Sequence, residues 1–199
     1  SVGDEAVFER ELARRLRRWF LTGPAGLGKA TLQSCVKLCL GFGPTRTGVF
    51  SAGNGPAMRA AVIGAAVDNA DTVLRLNRIS ARITHTDPQA EHGAAVVALA
   101  AWGVARDHFA TNGDFFRLIV AKLDGEHAAD VLAALRHAER SLAAEESTRD
   151  FAHNMCGDRG VTGYLLHTVP VCIHAWLTHR GEPGGMPRPL IQWGGAADT

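Results

Sequence analysis

The chain has 199 residues, 46% of them apolar, enough for one domain with a sizeable core and incompatible with a disordered segment. Its 21 Lys and Arg against 20 Asp and Glu leave a formal charge of +1, so no global field draws it to nucleic acid or to an anionic membrane. The most apolar run, "AAVVALAAWGVA" at 94–105, is too short to span a bilayer, and the charged, periodic start lacks the form of a signal peptide. The expected compartment is the cytoplasm, and the expected partners are small molecules or proteins.

From Phe8 to Phe20, apolar residues at Phe8, Leu12, Leu16, Trp19 and Phe20 mark one face of a helix. Arg10, Arg14, Arg17 and Arg18 lie elsewhere on the wheel and read as a solvated face. Next comes "FLTGPAGLGKATL", with G-x-x-x-x-G-K running from Gly23 to Lys29, the outline of a phosphate-binding loop. Ala30 stands where that loop needs a hydroxyl for Mg²⁺, and a helix precedes it where a buried strand is required. The stretch is therefore expected to be a helix-to-helix turn. Lys29 becomes a first-turn surface residue whose replacement by Ala leaves ligand affinity nearly unchanged.

The following helix, "KATLQSCVKLCL", sets Leu32, Cys35, Val36, Cys39 and Leu40 along one stripe. Cys35, Cys39, Cys156 and Cys172 include no C-x-x-C pair and are expected to be buried thiols, with neither a zinc site nor a disulfide framework. The loop "GFGPTRTGVFSAGNGP" has five Gly and two Pro in 16 residues, a composition that lets backbone approach a ligand closely. Its end places Pro56 near the start of the helix "AMRAAVIGAAV", with free backbone N–H groups as a receptor for an anion or carbonyl.

Residues 70–83, "ADTVLRLNRISARI", are helical in period. Asp87 and Pro88 are expected as N-cap and first residue of a long helix whose Ala and Gly suit the centre of a bundle. "DFFRLIVAKL" and "HAADVLAALRHAERSLAAEEST" continue the helical period, and "RGVTGYLLHTVPVCIHAWLTH" holds a Gly-rich turn and an apolar helix started or interrupted by Pro170. "RGEPGGMPRP" reads as a linker. No segment alternates as a strand does, so the expected fold is all-α, a single helical domain over residues 1–199. Ser1 and the closing "GGAADT" look like cut ends, so parts of the site are expected beyond them.

Five ordered pieces, "PAGLGKAT", "GVFSAGNGPAMRAAVIG", "ITHTDPQAEHGAAVVALA", "GVTGYLLHTVPVCIHAW" and "GGAADT", together resemble the ADP-ribosylglycohydrolase family over nearly the whole chain. The resemblance implies a compact orthogonal multi-helix bundle that removes ADP-ribose from a protein or small acceptor, with arginine-linked ADP-ribose slightly favoured. It also implies two Mg²⁺ ions, held by an early Thr-Asp-Asp motif and a late Gly-Gly-Asp-x-Asp-Thr motif. Closely spaced carboxylates and a hydroxyl suit that cation.

Carried over by position, Asp198 and Thr199 match late metal ligands. Asn54, Gly55 and Met58 match the loop lining the ADP-ribose cleft, and His85 matches a His directed at the distal ribose and phosphates. Gly163 and Tyr164 match the adenosine side, where Tyr164 would stack on the purine or stand as a core-edge residue with its OH in water. Two departures stand out. Thr-Asp-Asp does not occur and would lie upstream of Ser1, with the catalytic carboxylate. Ala196 replaces the first Asp of the late motif, and a methyl group cannot ligate a cation. Three readings of Ala196 stay open: a substitution that traps a ligand, a variant that binds one metal weakly, or a degenerate member that hydrolyses nothing. In the last case the chain would bind ADP-ribose or a partner protein, as an immunity module does.

Overall fold

A computed structural model of the chain describes residues 2–180 apart from 124. Over these residues the fold is all-α, in nine α-helices: α1 (Val2–Phe20), α2 (Lys29–Cys39), α3 (Ala57–Ala66), α4 (Ala70–Thr84), α5 (Pro88–Ala105), α6 (Asn112–Lys122), α7 (Ala129–Ala143), α8 (Thr148–Cys156) and α9 (Leu165–Thr178). Short 3₁₀ turns occupy Pro44–Arg46, Glu126–Ala128 and Gly157–Arg159. Among the described residues strand-like pairing is confined to two isolated bridges, Val49 with His85 and Gly53 with Tyr164.

Side-chain caps set several of the boundaries. Asn69 Oδ1 accepts from Thr72 N at 3.0 Å ahead of α4, and Asp87 Oδ1 accepts from Gln89 N at 2.9 Å ahead of α5, where Pro88 takes the first helical position. Asp114 Oδ2 accepts from Thr111 N at 2.6 Å at the start of α6. Pro56 caps α3 instead of entering it, and α9 runs straight through Pro170, which interrupts the helix's hydrogen bonding without ending it.

α5 lies at the centre, packed against α3, α4, α6, α7 and α9. Its small residues permit this. A Cβ at Gly64 of α3 would stand 1.9 Å from the Ala98 carbonyl oxygen of α5, so the two helices meet backbone to backbone. Around α5, Val73, Val96, Leu99, Phe115, Ile119, Val131 and Leu165 form one buried core. Each such side chain contributes about 2 kcal/mol through burial. Phe115 meets Trp176 edge to face at 5.4 Å, which closes the α6–α9 side.

The apolar stripe of α2 is only partly buried, and the expectation of four buried thiols fails. The helix's buried face is Ala30, Ser34, Cys35 and Leu38, whereas Leu32, Val36, Cys39 and Leu40 are exposed. The apolar stripe exists, but the neighbouring helices pack against the adjoining strip of the wheel. Of the thiols only Cys35 is fully buried; Cys39 is exposed, and Cys156 and Cys172 are half-buried. The separate helix α8 also escapes the periodic reading, although Ser147, which accepts from Asp150 N at 3.2 Å, marks its start. No helix of the described residues is long and apolar enough to cross a membrane.

Candidate functional site

A cavity of about 630 Å³ opens where four sequence-distant segments converge. Leu16 and Trp19 of α1, the turn 25–28 and the first residues of α2 form one wall. Ser51, Gly53, Asn54 and Gly55 with Met58 and Arg59 form the other, and His85 and Gly163 complete the lining.

The second wall is stitched in place by backbone bonds. Val49 N donates to Thr84 O at 3.1 Å and Thr86 N donates to Val49 O at 2.9 Å, which ties the loop to the end of α4. Asn54 N donates to Gly163 O at 3.0 Å, Leu165 N donates to Ala52 O at 2.9 Å, and Asn54 Nδ2 donates to Thr168 Oγ1 at 3.1 Å. These tie the same loop to the start of α9. The Gly53 N–H is taken by Ser51 Oγ at 3.3 Å, so this turn offers fewer free donors than its sequence suggests.

His85 is buried, and its ring lies flush against the loop. A Cβ at Gly53 would stand 3.0 Å from His85 Nε2, and one at Gly55 would stand 2.9 Å from Cε1, so glycine serves here as a surface for the imidazole. Nδ1 lies 2.9 Å from Thr84 Oγ1. Burial, helped by the charge of Arg59, pushes the imidazole down to about 4, so His85 is neutral at neutral pH.

Beneath it, Arg59 Nε donates to Ser80 Oγ at 2.9 Å and Nη1 to Gly55 O at 3.0 Å. Nη2 donates to Ser80 O at 2.6 Å and to Thr84 Oγ1 at 2.7 Å. Burial lowers this guanidinium to about 10, still fully charged at neutral pH. No carboxylate pairs with it among the described residues, where Lys29 and Arg59 are the charged groups of the cavity lining.

Asn54, Gly55, Met58, His85 and Gly163 thus share the lining of one cavity. Tyr164 is not part of the lining: its OH donates to Gln89 Oε1 at 3.0 Å, and its ring meets His167 edge-on at 5.2 Å. Asp198, Thr199 and Ala196 lie outside the described residues. Sequence reasoning passes over Arg59 and treats the 25–28 turn only as a connection. That turn does join two helices, which removes the phosphate-loop reading, but it also walls the cavity, and Lys29 lines it. Among the described residues no group of three or more His, Cys, Asp or Glu could hold a metal ion. The described lining therefore does not fit a Mg²⁺ pair.

Two comparisons bear on this cavity. The family model described as ADP-ribosylglycohydrolase matches residues 3–199. An uncharacterized protein of Archaeoglobus fulgidus is 41% identical over 103 residues, which are 50% of this chain and 34% of that protein. The chain thus matches about a third of the relative's length.

Proposed function

The chain belongs to the ADP-ribosylglycohydrolase family, and on that premise we propose that the cavity binds an ADP-ribosyl group and belongs to a hydrolase that releases it from a protein or small acceptor. The observation that carries this reading is the convergence of the turn 25–28, Asn54, Gly55, Met58, Arg59, His85 and Gly163 on one cavity of about 630 Å³. That volume lies in the usual range for small-molecule sites.

The chemistry of the walls suits the ligand. A diphosphate is an anion, and the charged lining residues Lys29 and Arg59 are cations. Trp19, Leu27 and Met58 offer apolar surface to a nucleoside. His85, neutral and buried, supplies a fixed polar point in the same lining. Cleavage at the anomeric carbon would pass through an oxocarbenium-like state, as in other glycoside hydrolyses. We propose Asp198 and Thr199, which lie outside the described residues, as ligands of Mg²⁺.

A second reading has its own observation. Ala196 cannot ligate a cation, and no Asp or Glu lines the cavity among the described residues. Both fit a member that binds ADP-ribose without cleaving it. Incubation with ADP-ribosyl-arginine and Mg²⁺, following ADP-ribose release beside ATP hydrolysis, separates the readings. Release is the expected result, saturable binding without release establishes the second reading, and phosphate release from ATP overturns both.

A further inference from the structure

His85 Nε2 has no hydrogen-bond partner among the described residues, yet none of their fully buried side-chain nitrogens or oxygens lacks one. Nε2 is therefore the ring atom that meets the cavity. Which nitrogen carries the proton decides what that atom offers: an N–H donor to the ligand or a bare lone pair.

The surroundings decide it. Thr84 Oγ1 accepts an N–H from Arg59 Nη2 at 2.7 Å, which leaves its own proton to be donated. Two acceptors lie near. Ala81 O is 3.4 Å away and already accepts the His85 N–H at 2.8 Å, whereas His85 Nδ1 is 2.9 Å away. The shorter path favours Nδ1, and donation by the guanidinium polarises the hydroxyl toward giving its proton up. Thr84 is itself held: Ser34 Oγ and Val49 N both donate to its carbonyl, at 2.9 Å and 3.1 Å.

We propose that Arg59 and Thr84 are positioning residues that fix His85 as a neutral imidazole protonated on Nε2, so that this end of the cavity selects a hydrogen-bond acceptor. A hydroxyl or phosphate oxygen is favoured there, and an amine or guanidinium nitrogen is turned away. The proton placement is independent of the ligand; its use in selecting an ADP-ribosyl oxygen rests on the function proposed above.

Long-range ¹H–¹⁵N correlation spectra of the ¹⁵N-histidine-labelled chain at neutral pH read the ring protonation directly, with the His85 signals assigned by their loss in His85→Gln. The native ring should carry its proton on Nε2. Thr84→Val should reduce the share of that tautomer, Thr84→Ser should restore it, and Arg59→Lys should reduce it by less than Thr84→Val. The His174 signals, whose nitrogens are held by Ser141 and Thr148, should stay in place and report an intact fold. A native ring protonated on Nδ1, or an imidazolium, overturns the proposal. So do His85 signals that are the same in Thr84→Val as in the native chain.

Calorimetric titration with ADP-ribose should show about tenfold weaker binding for Thr84→Val and little change for Thr84→Ser. A native chain that binds no ADP-ribose removes the proposed function, and the ring spectra then decide this inference alone.

Discussion

Two histidines are buried to nearly the same depth, His85 at 3% exposure and His174 at 0%, and burial lowers the pKa of both. At His174 every polar atom is spoken for. Ser141 Oγ lies 3.1 Å from Nε2, Thr148 Oγ1 lies 2.8 Å from Nδ1, and the ring stacks on Phe151 at 4.6 Å. At His85 one nitrogen is held and the other faces open space lined by glycine backbone. Burial and a depressed pKa are common to both rings, so neither marks function. What sets His85 apart is a ring nitrogen with no hydrogen-bond partner among the described residues.

The comparison breaks most visibly at His174. His174→Ala should cost about 3 kcal/mol of unfolding free energy, from the space left behind and the Thr148 hydroxyl losing its ring partner, while Ser141 keeps its bond to Glu146. ADP-ribose affinity of the folded variant should stay as it was. His85→Gln should do the reverse, weakening ADP-ribose about tenfold with a smaller loss of stability. Urea unfolding beside calorimetry reads both, and an equal pattern in the two variants would sink the distinction.

Acid sharpens the comparison next. The unfolded imidazole takes a proton below about 6.5, whereas folded His85 resists protonation down to about 4. Its contribution is therefore intact above pH 6.5 and is lost as pH falls toward 4, by on the order of 3 kcal/mol. The lowered pKa of His174 acts with the same sign. Urea midpoints taken between pH 7 and pH 4 should fall less steeply in His85→Gln than in the native chain, and parallel curves would contradict the assignment.

The smallest effect belongs to the opposite wall. Lys29 lines the cavity but is exposed, so Lys29→Ala should weaken ADP-ribose by less than about threefold, and less again at high salt. A large, salt-insensitive loss would return the 23–29 stretch to the role of a phosphate cradle.

Much of the architecture is legible in the order of residues alone. Asp87 and Pro88 announce α5, and the Ala and Gly of α5 announce its central place, because caps and close helix packing depend on neighbours along the chain. Asn54, Gly55 and His85 can be named from the motifs they share with a family. Arg59 cannot, since its partners Ser80 and Thr84 are 21 and 25 residues away and only the fold brings them to it. The exposed stripe of α2 has a related cause. Periodicity tells which residues share a face, but not whether that face finds a partner, and here Ser34 is drawn inward by the Thr84 carbonyl while Leu32 is left out.

The bond from Asn54 to Thr168 joins residues 114 apart. Local helices such as α4 and α5 can form early on the folding path, but closing so long a loop comes at high entropic cost and therefore late. The cavity gains Gly163 only once the segment ahead of α9 has docked onto the Gly-Asn-Gly turn. Helical content and ligand capture should thus separate in time during refolding, with circular dichroism recovering first and the capacity to bind returning only when the last long-range contact is made.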